Sequence, residues 1–138
     1  MKKSLIAFIT LCACINLYGQ VDLAVKITHI KKIHGQVEIC LYDSEENYMK
    51  DGKAMQCVWV DVEKDFVDHV FSSLPKGNYA VVTIHDVNGN KDLDTNFMGI
   101  PKEPYGFSNN PSTRFGPPTF EGASVALSTH GKVEIRLK

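Results

Sequence analysis

Apolar and polar residues alternate in seven short runs along this chain, and turn residues separate the runs. In "VDLAVKITHI" (21–30), Leu23, Val25 and Ile27 stand against Asp22, Lys26 and Thr28. In "QVEICLYD" (36–43), Val37, Ile39 and Leu41 share one face and Cys40 takes the other. Successive strand side chains point to opposite faces, so each run predicts a half-buried strand. "MQCVWVDV", "DFVDHVFSSL", "NYAVVTIHD", "SVALS" and "KVEIRLK" complete the set. The run 78–86 is the most apolar, with Ala80, Val82 and Ile84 on one face and Tyr79, Val81, Thr83 and His85 on the other. Turns at "KKIHG", "LPKG" and "THG" suggest that the first two strands form one hairpin and the last two another. Asp43 with Glu46 is expected to cap a single helical turn. No long amphipathic helix competes, so the expected fold is all-β, an antiparallel seven-stranded β-sandwich, with a small barrel as the alternative.

The chain has 138 residues, and its start differs in kind from the rest. Lys2 and Lys3 precede the apolar stretch "SLIAFITLCACINLY", and Gly19 supplies a small residue for cleavage. This is the pattern of a secretory signal peptide over 1–19, with one domain over 20–138. An uncleaved anchor is the alternative, as is lipid attachment at Cys14, where "LCAC" loosely matches a lipobox. After cleavage 13 basic residues face 16 acidic ones, a formal charge of −3. Nothing in that balance forms a footprint for nucleic acid, and the mature chain has no stretch long and apolar enough to span a membrane. Export places the protein in a periplasmic or extracellular space, where the remaining Cys40 and Cys57 form a disulfide or stay as two buried thiols.

Residues 85–99, "HDVNGNKDLDTNFMG", concentrate side-chain oxygens. Asp86, Asn88, Asn90 and Asp94 fall at places 1, 3, 5 and 9 of a calcium loop, and Asp92 at place 7. Calcium takes about 6–8 oxygen ligands, which alternating Asp and Asn in a flexible loop can supply. Asn96 or Glu103 would complete the set, since Phe97 at place 12 cannot. Lys91 stands at place 6, where a sharp turn favours glycine. The alternative is a metal-free turn, because Asp and Asn also bond their own backbone. Lys91 could then offset repulsion among Asp86, Asp92 and Asp94. Residues 97–118 follow, with five of the six prolines and with Phe97, Tyr105, Phe107 and Phe115. A loop of that length with aromatics suggests a contact surface for a protein or glycan partner.

The stretch "LPKGNYAVVTIHDVNGNKDLDTNFMGIPKEPYGFSNN", with "GQVEICLYD" before it and "FGPPTFEGASVAL" after it, resembles the secreted bacterial proteins grouped as domain of unknown function 2141. The resemblance covers nearly the whole mature chain. It implies an exported β-sandwich of immunoglobulin-like or transthyretin-like kind, and it implies no assigned biochemical role. That family carries glycine where this chain has Lys91.

Catalysis is not expected. A hydrolase would draw on His85 as base and Ser108 as nucleophile, with Glu103 and Tyr105 nearby in sequence, but no G-x-S-x-G elbow is present. Trp59, between Val58 and Val60, reads as packing. The functional expectation is an exported, calcium-stabilised binding or accessory module, against a purely structural secreted domain. N-terminal sequencing of protein from the host envelope should find a new start at Gln20 or close by. An intact Met1 would contradict export by cleavage, and a lipidated Cys14 would favour the anchor.

Overall fold

The computed structural model describes residues 19–138, so the expected leader, Gly19 apart, and the lipid site at Cys14 lie outside the described residues. Eight strands run in order as β1 (Val21–Thr28), β2 (Gln36–Tyr42), β3 (Gln56–Asp61), β4 (Val67–Leu74), β5 (Gly77–Asp86), β6 (Tyr105–Phe107), β7 (Ser124–Leu127) and β8 (Gly131–Arg136). One short helix, α1 (Phe120–Ala123), precedes β7. Three strands form one sheet in the order β4-β1-β8. Five form the other, in the order β3-β2-β5-β6 with β7 also on β5. The result is the expected all-β sandwich.

Its core is the layer between the sheets. Leu23, Val25 and Ile27 of β1, Phe71 of β4 and Ile135 of β8 meet Val37, Ile39 and Leu41 of β2 and Val81 of β5, all essentially without exposure. The alternation along β1, β2 and β5 thus marks the core face correctly. It does not reveal which strands pair. β1 lies antiparallel to β4, with Ile27 opposite Val67, and parallel to β8, with Ile27 opposite Ile135. It forms no hairpin with β2. The segment between them crosses from one sheet to the other, using left-handed backbone at His29 (φ 65°) and Gly35 (φ 77°). β7 and β8 are not a hairpin either, for β7 joins β5 and β8 joins β1. A turn that changes sheets has the same residue chemistry as one that stays within a sheet, so composition alone does not separate them.

Two local expectations also change. Residues 45–50 form successive turns, with Tyr48 N–H donating to Glu45 O and Lys50 N–H to Asn47 O, and no helix. The helical turn lies instead at α1, capped by Thr119, whose hydroxyl accepts the Gly122 N–H at 3.1 Å. The eighth strand, β6, arises inside the long loop, where Thr83 pairs with Gly106. Glycine is needed there. A Cβ at Gly106 would stand 2.6 Å from Ile135 Cγ2 in the core and 3.2 Å from Arg136 O. Gly106→Ala should therefore lower stability by about 1–3 kcal/mol through overpacking. Urea unfolding checks this, and an unchanged midpoint would contradict the packing described.

Candidate functional site

Among the described residues, no second sheet lies over the outer face of the five-stranded sheet. Register puts Glu38, Cys40 and Tyr42 of β2 there, with Cys57 and Trp59 of β3, Val82 and Ile84 of β5, and Tyr105 and Phe107 of β6. One end is closed by a small cluster in which Ala80, Phe107 and Ala123 are buried, with Tyr48 and Phe120 packed against them. The rest is open. Turns between β2 and β3, the loop after β5, and the segment after β6 rise around it. Two adjoining clefts result, of about 740 Å³ and about 490 Å³, and both are lined by Met49, Val82, Ile84 and Leu93. Trp59 lines the larger cleft and is half-buried, with Lys91 Nζ 5.8 Å from the centre of its ring. Trp59, read in sequence as packing, packs on the outer face of the sheet, since its strand turns it away from the core.

The acidic loop forms one wall. Asp86 ends β5 and is fully buried. Its Oδ1 accepts the Gly89 N–H at 2.7 Å and its Oδ2 accepts the Lys91 N–H at 2.8 Å, so the first carboxylate curls the loop around itself. Asn88 Oδ1 accepts from Asn90 N and Asn90 Oδ1 from Asp92 N, two successive Asx turns. These turns bring the side-chain amides of Asn88 and Asn90 onto the two carboxylate oxygens of Asp94, Nδ2 of Asn90 lying 3.0 Å from Oδ1. Glu103, buried on the returning chain, accepts Val87 N–H at 3.0 Å and reaches Asp94 N at 3.4 Å. Asp92 and Asn96 turn elsewhere: Asp92 Oδ1 accepts from Leu93 N, and Asn96 Oδ1 accepts from Met98 N and Ile100 N. Asp86, Asn88, Asn90, Asp94 and Glu103 thus share one loop core, and Asp92 and Asn96 cap turns outside it.

The electrostatics of that core are one-sided. Among the described residues no basic nitrogen lies within 4.0 Å of Asp86, Asp94 or Glu103. Lys91, expected to offset repulsion among Asp86, Asp92 and Asp94, makes no ion pair within 4.0 Å with any of them among the described residues; its ammonium stands 5.8 Å from the centre of the Trp59 ring. Lys91 does adopt the left-handed backbone that glycine takes freely, at φ 58°. The turn expected of place 6 therefore forms without glycine, at a steric cost of about 1–2 kcal/mol. Glu38 feels the same excess charge. Its carboxyl is held above the ordinary range first by burial and then by the charge of Asp86. Burial also pushes the Tyr48 hydroxyl up to about 12, with Tyr42 adding to the effect.

Cys40 and Cys57 stand directly opposite each other on β2 and β3, Cα atoms 4.1 Å apart, and are joined as a disulfide. With Glu38 they make the only cluster of three metal-ligating acid, His or Cys groups among the described residues. Bonded to each other, the two sulfurs offer no thiolate, so this cluster fits no metal.

The residues singled out for hydrolysis sit differently. His85 is fully buried on the core face of β5, not on an exposed one, and its Nε2–H donates to His34 O at 2.8 Å. It therefore anchors the crossing segment before β2, not the acidic loop. Ser108 is also fully buried; its Oγ accepts the Val81 N–H at 2.8 Å and donates to Ala123 O. Tyr105 Oη donates to Thr113 Oγ1 at 3.2 Å. The base and nucleophile of that reading are thus structural ties. The floor of the cleft, Val82 and Ile84, was not singled out in the sequence, although a signal was present. A strand apolar on both faces needs cover on both.

A family model described as uncharacterized protein conserved in bacteria (DUF2141) matches residues 25–136. No curated protein and no solved structure gives a significant match.

Glu38 sets a pH dependence. Its raised value means that the folded state binds the proton more tightly than the unfolded chain, whose carboxyl titrates near 4.5. The penalty is absent below that range and grows as pH rises through the folded value. Glu38→Gln should therefore raise the urea midpoint at neutral pH, with the gain disappearing toward about pH 4. A gain that is equal at both pH values, or a loss at neutral pH, would contradict the assignment.

Proposed function

The chain belongs to the DUF2141 family, and from that premise we propose that it is an exported, non-catalytic binding module whose loop wall is ordered by calcium. The observation that carries this reading is the convergence of the Asn88 and Asn90 amides on both oxygens of Asp94, beside buried Asp86 and Glu103, with no basic nitrogen of the described residues within 4.0 Å of these carboxylates. Turning the two amide oxygens toward Asp94 would give up the Asx-turn bonds from Asn90 N–H and Asp92 N–H, a cost that cation binding would have to offset. With oxygens inward, Asn88, Asn90 and Asp94 present a hard-cation donor set, and a bound cation would relieve the repulsion of the two buried carboxylates. Asp86 and Glu103, already tied to backbone N–H groups, would serve as the frame.

The wall matters because it bounds the clefts. Leu93 lies between Asp92 and Asp94 and lines both of them. Fixing Asp94 therefore fixes an apolar residue of the binding surface. The sandwich supplies the rigid floor and the loops supply the contacts, the usual division of labour in such modules.

The metal-free reading keeps one observation in its favour. Asp86, Asn88, Asn90, Asp92 and Asn96 each accept a backbone N–H, as an Asx-rich turn requires without any ion. Thermal unfolding of the mature domain separates the two. In calcium at a hundredfold excess over a dissociation constant of about 10⁻⁴–10⁻³ M, stability should rise by about 2.7 kcal/mol. Asp94→Ala should abolish that rise, and Lys91→Gly, which relieves the left-handed backbone at φ 58°, should raise stability in calcium and in chelator alike. A wild-type melting point that calcium and chelator leave equal, at constant ionic strength, would leave the loop as a solvated Asx turn.

A further inference from the structure

We infer that the smaller cleft, floored by Val82 and Ile84, is a binding site for a free single-chain amphiphile with one anionic head. This rests on the reading of the chain as a binding module and names its ligand; it does not require the cation.

Two segments contribute to the lining of the cleft. After the acidic loop the chain doubles back as a small hairpin: Thr95 bridges Pro101, Asn96 N–H donates to Ile100 O, and Lys102 N–H donates to Asp94 O. Its tip carries Phe97, 97% exposed, and Met98, 67% exposed. The segment through Thr113, Arg114 and Gly116 also lines the cleft, and Phe115 within it is 99% exposed. A phenyl ring left entirely in water contributes nothing to folding. Two such rings neighbour lining residues in the chain, Phe97 two before Gly99 and Phe115 between Arg114 and Gly116. The floor and walls, Val82, Ile84, Leu93, Ile100 and Phe107, are hydrocarbon. At about 490 Å³ the space falls within the range of small-molecule sites, roughly 300–1,000 Å³.

Charge selects the ligand. Arg114 is the one charged residue lining this cleft, and it has no acidic partner within 4.0 Å among the described residues. Beside it, the Thr113 and Tyr105 hydroxyls bond each other at 3.2 Å, which leaves one hydroxyl hydrogen of the pair free to donate. Arg114 and the Thr113–Tyr105 hydroxyl pair are thus the polar side-chain groups of a lining that is otherwise apolar. A carboxylate, sulfate or phosphate head on an unbranched chain satisfies both parts. The larger cleft, which carries Glu38, Asp51 and Asp92 with Lys50 and Lys91, lacks this polarity of one sign.

The test is calorimetric titration of the mature, disulfide-intact domain with octanoate, decanoate and dodecanoate below their micelle concentrations. It is done in millimolar calcium and again in chelator. One molecule should bind per chain, each added methylene tightening binding about three- to fourfold. Arg114→Gln, at an exposed position that folding does not use, should weaken decanoate roughly two- to fivefold and leave uncharged decanol unchanged. Ile84→Glu should abolish binding of both, with circular dichroism confirming its fold; should it not fold, Phe97→Ser with Phe115→Ser takes its place. Absence of saturable binding overturns the inference. So does equal loss of decanoate and decanol in Arg114→Gln, or binding to phosphatidylglycerol vesicles without binding of free decanoate. If decanoate binds while calcium leaves the melting point unmoved, the cation reading fails alone. If calcium stabilises and decanoate does not bind, this inference fails alone.

Discussion

Strand β5 is buried from both sides, and most of the structure is arranged to satisfy it. Its core face carries Tyr79, Val81, Thr83 and His85, all buried. Its outer face carries buried Ala80 and half-buried Val82 and Ile84. Along its edges it pairs with β2 on one side and with β6 and β7 on the other. The three-stranded sheet covers the first face. Nothing of that kind covers the second, so the chain covers it piecemeal: α1 at one end, the acidic loop at the other, and the β6 segment returning alongside. Ser108 and Glu103 belong to that return, the first pinning it to Val81 and the second to Val87. What remains between these pieces is the cleft.

This dependence explains how much could be read in advance. Strand positions and the buried face were legible, because alternation is a local property and Val37, Ile39 and Leu41 declare it within five residues. Strand partners were not. Pairing β1 with β8 in parallel joins residues more than a hundred positions apart, and no turn signal reports on it. β6 escaped because three residues between two prolines and a pair of asparagines are too few to show a period. The disulfide pairing was open in sequence, since Cys40 was known only to leave the core face; register then sets Cys57 directly opposite.

The acidic loop was legible as a motif and not as a geometry. Spacing alone puts Asp86, Asp92 and Asp94 at places 1, 7 and 9 of a calcium loop and offers Asn96 or Glu103 to complete it. The structure separates them by what each carboxylate or amide must do for the backbone. Asp86 closes the turn, Asp92 and Asn96 cap their own neighbours, and Asp94 meets Asn88 and Asn90. Lys91 shows the same point from the other side. Its left-handed backbone follows from the turn, and its side chain follows the aromatic surface of Trp59 away from the carboxylates. Loop charge and cleft thus meet at one residue, Leu93, whose neighbours are acidic and whose side chain lines both clefts.

The central claim is that the outer face of the five-stranded sheet is a binding surface and not merely a badly covered one. Methyl NMR during a decanoate titration reads that face residue by residue. The account predicts that the methyls of Val82, Ile84, Leu93 and Ile100 shift together with a single saturating curve, while those of Val37, Ile39 and Ile27, in the layer between the sheets, stay in place. Shifts confined to other surfaces, or spread evenly through the core, would contradict it.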